Sequence, residues 1–304
     1  MKLSFKAAER LKSIKPSGIR RFFAAAQEIP SIINLSVGEP DFTPPMHALE
    51  GGWKATLAGK THYAPTNGIP ELREALAEKA YEEYGLEYDP SSEILITVGA
   101  TEAISLALMA LVNPGDEVLI PNPGFVCYEP SVRLAGGVPV SIPCLEKNKF
   151  KPTIDDVTSL ITGKSRVIIL NYPNNPTGVV LSRDELAELA KIAVDRDLIV
   201  ISDEVYEKII YDGEEHHCLA SFSGMRERTL VVNSFSKTYA MTGLRIGYVY
   251  GPKELIAPLW LCHQYFVACV DTFAQYAALA ALKGPQDFVK GMVAEFDRRR
   301  RFVF

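Results

Sequence analysis

The sequence predicts an α/β protein built on a mostly parallel sheet with helices on both faces. Three observations carry this reading. Short β-branched runs alternate with longer stretches of helical periodicity along the middle of the chain. Two of those runs, 167–170 and 198–201, are apolar without alternation, the pattern of strands covered on both faces. Apolar residues make up 47% of the 304, enough for a core that covers a large sheet.

In chain order, the runs expected as strands are 94–98, 117–120, 138–142, 166–170, 198–202, 229–233 and 245–250. A helix is expected over 71–84, following Pro70, and another over 100–112, ended by Pro114-Gly115. Ser182 with Glu185 three residues later forms a capping box, which opens a helix running to about Asp195. The stretch 285–304 sets Phe288, Val289, Met292, Val293 and Phe296 at helical spacing. Residues 1–36 read as helix and loop with no sheet partner. The expected division is 1–36 as part of a small domain, 37–284 as the large domain, and 285–304 as the start of an incomplete C-terminal small domain. The chain stops inside a helical pattern with no cap, which leads to the expectation that the sequence continues beyond Phe304.

Composition narrows the function classes. A net charge of −5 argues against nucleic acid as a main partner, and the basic run Arg298 to Arg301 reads as a solvated helix end. Five scattered cysteines without a CxxC pair point away from disulfides and zinc and toward a reducing, cytoplasmic setting. His216 and His217 read as a surface loop, with no metal expected. The N-terminus lacks a signal-peptide apolar region, and no run approaches the ~20 residues of a membrane span. The most apolar stretch, 255–270, is interrupted by Pro258, His263 and Gln264. No membrane partner is expected.

Four segments carry candidate chemistry. Ser234-Phe235-Ser236-Lys237 follows an expected strand, with Thr242-Gly243-Leu244-Arg245 beyond it; a lysine thus sits among hydroxyls, with an arginine eight positions on. Ser202-Asp203-Glu204-Val205-Tyr206 puts an aspartate at the end of a buried strand, where a turn-capping role is the plain alternative. Asn171-Tyr172-Pro173-Asn174-Asn175-Pro176-Thr177-Gly178 is a turn after another strand. Gly99-Ala100-Thr101 opens a helix, whose free N–H groups and positive dipole end suit a phosphate.

Taken together and in this order, the segments resemble the class I and II pyridoxal-5′-phosphate (PLP) aminotransferases, the aspartate-aminotransferase-like family of fold type I. The resemblance runs from about residue 18 to the end of the chain. It implies a large domain with a seven-stranded mixed, mostly parallel sheet. It implies that Lys237 carries PLP as a Schiff base and, once freed, moves the substrate Cα proton. Asp203 would pair with the pyridine nitrogen, and Tyr206 and Asn175 would bond the ring hydroxyl oxygen. Gly99, Ala100, Thr101, Ser234, Ser236 and Arg245 would hold the phosphate. Phe125, in Pro123-Gly124-Phe125, would stack on the ring, and the loop at Gly38 would meet the substrate carboxylate together with Asn175. Tyr63 would reach the phosphate of a partner subunit, implying a homodimer with shared sites. The expected reaction moves an amino group from an L-amino acid to a 2-oxo acid, 2-oxoglutarate in the usual case.

The same residues also serve two alternatives: a PLP-dependent C–S or β-lyase or synthase, or a shortened PLP-binding chain with impaired catalysis. The second alternative arises because the family's arginine for the substrate α-carboxylate has no position in this sequence. With that segment missing, Phe288, Met292 and Phe296 are expected to lie exposed, along with the terminal Phe302 and Val303.

Overall fold

β-Branched runs become strands where helices can cover both of their faces, and the computed structural model places seven of them in one sheet. The structure describes residues 8–14, 18, 31, 33 and 38–303. Most of the expected N-terminal segment, 1–36, therefore lies outside the described residues. The strands are β1 (Ile94–Thr97), β2 (Glu117–Asn122), β3 (Val138–Pro143), β4 (Ser165–Asn171), β5 (Ile199–Asp203), β6 (Thr229–Ser234) and β7 (Gly247–Tyr250). Their spatial order is β1-β7-β6-β5-β4-β2-β3. β7 runs antiparallel to both of its neighbours, and the other pairs are parallel. The expected sheet is thus present, strand for strand.

One boundary shifts for a physical reason. The run expected as a strand from Arg245 begins at Gly247 instead. Arg245 closes a 3₁₀ turn over Thr242–Leu244 and sits in the left-handed region at φ 52°. A non-glycine residue there costs about 1–2 kcal/mol, so the surrounding contacts must fix it.

The helices, in chain order, are α1 (Met46–Leu57), α2 (Pro70–Tyr84), α3 (Ala100–Leu111), α4 (Tyr128–Leu134), α5 (Ile154–Leu160), α6 (Arg183–Asp195), α7 (Phe235–Thr238), α8 (Lys253–Phe266), α9 (Thr272–Lys283) and α10 (Asp287–Val303). α6 begins with the expected capping box between Ser182 and Glu185. α3, α4 and α8 share an apolar cluster with Leu95, Val118, Val167, Ile201 and Val249 on one face. α2 and α9 cover Ile94, Ile96, Val231 and Tyr248 on the other. α1 stands where the sequence analysis placed no element, and Gly51 and Gly52 are poor residues for a helix interior. They are there for closeness: a Cβ at Gly51 would lie 2.4 Å from the Ala280 side chain of α9.

Two expectations are corrected. The apolar stripe of α10 is not bare. Met292 is 1% exposed and Val289 is buried, while Phe288 and Phe296 both meet Phe42 edge-on. Phe302 and Val303 are exposed as expected. His216 is no solvated loop residue either, since its Nε2 lies 2.8 Å from Glu204 Oε2 in a nearly closed environment. The basic run of α10 is exposed but paired, with Glu295, Asp297, Asp41 and Asp212.

The His216 contact is part of a buried cluster that fixes the chain just after β5. Glu204 Oε1 accepts from Ser202 Oγ and from the Leu219 N–H. Glu207 Oε1 lies 2.9 Å from Lys79 Nζ of α2, and Glu207 Oε2 accepts from the Tyr84 hydroxyl. Glu204, Glu207 and His216 have ligand-like spacing, but every carboxylate oxygen already has a donor. Burial pushes the Glu207 carboxyl up, and Lys79, Lys208 and His216 overrule it, leaving it at about 2. Burial likewise pushes His216 down, but Glu204 and Glu207 carry it above its ordinary value.

The signs set a pH window. The stabilisation from Glu207 is complete above its unfolded value of 4.5 and fades as pH falls toward 2. The His216 contribution is complete below 6.5 and fades as pH rises through its elevated folded value. Replacing Glu207→Leu leaves the buried Lys79 ammonium with Glu83 alone and removes the acceptor of the Tyr84 hydroxyl, and should lower stability by about 1–3 kcal/mol in urea unfolding at pH 6. Lys79→Met with Glu207→Leu should restore most of that loss. A single variant as stable as the parent would show that the pair carries nothing.

Candidate active site

Sheet direction gathers the four motifs. β1, β2, β4, β5 and β6 run the same way, so their carboxyl ends share one edge. Register makes this concrete: Asn171 lies beside Asp203, and Thr97 and Ser234 both lie beside Gly247. Loops leaving that edge carry Gly99, Phe125, Asn175, Asp203 and Lys237, the place where open α/β sheets bind ligands.

Asp203 is 5% exposed, and no Lys, Arg or His among the described residues pairs with it. Burial pushes its carboxyl up, and hydrogen bonds from the Tyr128 hydroxyl and the Val205 N–H partly offset this, leaving it at about 6. The Tyr128 bond is 2.7 Å long, and Tyr128 is wholly enclosed. Sequence reasoning missed this residue. Its signal was available: a tyrosine three residues after Phe125 at the start of a short helix, too polar at its tip to be buried without a partner. Phe125 meets the Tyr128 ring edge-on at 5.6 Å. Tyr206 stands on the turn that follows, its hydroxyl pushed up to about 12 by burial and by Asp203.

Asn171 ties two of the segments together. Its amide nitrogen donates to the Asp203 carbonyl and its Oδ1 accepts from the Asn175 N–H, at 2.9 and 2.8 Å. Asn174 turns inward instead, accepting from the N–H and hydroxyl of Thr177, so it shapes the loop. Asn175 is left half-buried at the site.

Lys237 is the third residue of the short helix α7, and its Nζ donates to the Gly38 carbonyl at 2.6 Å. Its ammonium lies 5.9 Å from the centre of the Tyr206 ring. Burial lowers its pKa, Glu39 raises it and Arg245 lowers it again, with a net fall. Such an amine loses its proton more easily than a surface lysine, as a nucleophile or base must. Ser234 caps α7, and its Oγ lies 2.8 Å from Ser236 Oγ. The left-handed backbone at Arg245 turns its guanidinium onto Gly99, where a Cβ would come within 2.5 Å of Nη2. Gly99 caps α3 at φ 78° with no side-chain bond, so the first N–H groups of α3, at Ala100 and Thr101, have no intrahelical acceptor.

The structure therefore brings Gly38, Gly99, Ala100, Thr101, Phe125, Asn175, Asp203, Tyr206, Ser234, Ser236, Lys237 and Arg245 to one edge. Tyr63 stands apart, 90% exposed, beside Cys269 and Asp271. The donor set fits PLP. A buried carboxylate without a cation suits a pyridinium, a helix start facing an arginine suits a phosphate dianion, and a desolvated amine suits an aldehyde.

Residues 30–304 match the family model "Aminotransferase class I and II". The chain is 46% identical to an aspartate aminotransferase of Pyrococcus abyssi, over 98% of this chain and 77% of that one. It is 45% identical to an aromatic-amino-acid aminotransferase of Thermococcus litoralis, with the same two shares. The aspartate aminotransferase of Thermus thermophilus, solved with maleate, superposes with a TM-score of 0.94 at 40% identity, covering 98% of this chain and 79% of that one. Sequence motifs, sheet order and donor set agree with these likenesses, and the chain belongs to the class I and II aminotransferases, as a PLP-dependent enzyme of fold type I.

Proposed function

We propose that Lys237 holds PLP covalently and moves the substrate Cα proton, with Asp203 as the partner of the ring nitrogen. The single observation that carries this is the Asp203 carboxylate, buried with hydrogen bonds but with no cation beside it among the described residues. The bound cofactor supplies an electron sink for the bond broken at Cα. Everything else falls to the chain. Asp203 keeps the ring nitrogen protonated, and Tyr128 orients Asp203 and favours its ionised form. Asn175 and Tyr206 bond the ring hydroxyl oxygen, and Phe125 covers the ring face. Gly99, Ala100, Thr101, Ser234, Ser236 and Arg245 hold the phosphate. Gly38 and Asn175 meet the substrate carboxylate, and 2-oxoglutarate is the natural acceptor to assay.

The large unit 37–284 carries all of these residues, with 1–36 and 285–304 as parts of the small domain. We also assign this chain to a homodimer, with Tyr63 reaching into the partner's site. The support is the exposed Tyr63 together with other large apolar side chains left bare: Trp53, Leu57, Tyr265 and Phe266. The free cysteines suit a reducing, cytoplasmic setting. No helix among the described residues is long and apolar enough to cross a membrane.

Borohydride reduction of PLP-loaded protein, followed by peptide mapping, should place the pyridoxyl group on Lys237. A label on another lysine would end the assignment. Asp203→Ala should keep PLP affinity within about tenfold and slow the first half of amino transfer by at least about 100-fold, with aspartate or an aromatic amino acid as donor. Near-parental turnover would remove Asp203 from its role. Tyr128→Phe deletes one hydrogen bond to a charged group, and the same half-reaction should slow by about tenfold while PLP affinity stays within about threefold. An unchanged rate would make Tyr128 a packing residue only.

A further inference from the structure

The start of α3 is braced from a side that the cofactor residues do not occupy. Glu102 is the third residue of α3, and its Oε2 reaches back to accept the Val98 N–H. Its Oε1 lies 3.1 Å from Nδ1 of His263, which comes from α8 and is completely buried. A carboxylate only accepts, so Nδ1 carries the proton in this pair. Among the described residues Nε2 of His263 has no hydrogen-bond partner, so the bond at Nδ1 is the polar contact that orients the ring.

The braced segment is the one that faces Arg245. Val98 O lies 3.5 Å from Arg245 Nη2, and Gly99 follows directly. Below it, Gly247 packs so closely that a Cβ there would lie 2.8 Å from Ala100 N. The backbone of 98–100 is thus fixed by β7 beneath, Arg245 in front and Glu102 behind. The placement of Glu102 is costly in one respect: it sets a carboxylate within the first turn of the helix that meets an anion. Both of its oxygens are committed, one to a backbone N–H and one to an imidazole N–H. Without the pair, Val98 loses its acceptor, and the N–H groups of Ala100 and Thr101 lose their fixed aim.

We propose that Glu102 and His263 are positioning residues for the phosphate cradle, setting how tightly the enzyme holds a phosphomonoester without touching it. This rests on reading Gly99–Thr101 with Arg245 as the phosphate site. The role is distinct from general support of the fold, because it acts on the phosphate and not on the ring.

The test exploits that distinction. The full chain, stripped of cofactor, is titrated with PLP and with pyridoxal, which lacks the phosphate, and the absorbance of the bound cofactor is read. Glu102→Ala should raise the Kd for PLP about tenfold, the worth of one hydrogen bond to a charged group, and leave that for pyridoxal within about twofold. Glu102→Gln keeps an acceptor for Val98 and offers an N–H to the imidazole in its other tautomer, so its PLP Kd should stay within about threefold of the parent. His263→Asn, which keeps a donor near the Nδ1 position, should likewise stay close to the parent, whereas His263→Leu should follow Glu102→Ala. Arg245→Leu serves as the control for the site itself. If it fails to separate PLP from pyridoxal, the phosphate reading is wrong. If it separates them and Glu102→Ala does not, or if Glu102→Ala weakens both ligands equally, the positioning role is wrong while the site stands.

Discussion

The central strands β4, β5 and β6 are covered on both faces, and this constraint decides where polar chemistry can stand. Val167 to Leu170 and Val200 to Ile201 meet only apolar neighbours above and below. Polar groups needed for function must therefore leave from the strand ends. The parallel register brings those ends together, so Asn171, Asp203 and Ser234 line one edge without any long-range search by flexible loops. The antiparallel β7 completes the arrangement. It enters at that same edge, which puts Arg245 just ahead of Gly247 and opposite the start of α3.

Burial then sets the electrostatic character of each group. Asp203 and Glu207 are four residues apart and similarly enclosed, yet their carboxyls move in opposite directions. Asp203 rises to about 6 because desolvation is answered only by neutral donors. Glu207 falls to about 2 because Lys79, Lys208 and His216 overrule the same desolvation. The first group is left needing a positive partner, as a cofactor site requires. The second is satisfied within the fold, and with Glu204 and His216 it holds the segment that carries Tyr206. The charged cluster beside Asp203 is thus satisfied within the fold, whereas Asp203 has no charged partner among the described residues.

Much of this was legible in the sequence. The strands could be read because β-branched runs with no polar face have few other folded uses, and α6 could be read from its capping box. Lys237, Asp203, Asn175, Gly99 and Arg245 could be singled out as candidates because each stands at a fixed offset from a strand end within a string that resembles a family motif. What could not be read depended on close approach or on partners distant in sequence. Gly51 and Gly52 look like helix breakers until α9 is seen against them. Tyr128 looks like one more core aromatic until its hydroxyl is found on Asp203. His216 looks like a loop residue until Glu204 is found beside it.

The sequence by itself determined the fold class, because periodicity is a property of neighbouring residues, and its ordered motifs, through their resemblance to a known family, pointed to the cofactor and singled out Lys237 as the candidate lysine. Tertiary structure alone decided which groups are paired and which are left in need. A carboxyl's charge state depends on everything within a few ångströms, and those neighbours come from α2, α4 and the segment after β5, up to 128 positions away along the chain for Lys79 and Glu207. The bracing of 98–100 by Glu102 and His263 has the same origin: 161 residues separate the two side chains, and only the packing of α8 on α3 makes them one unit.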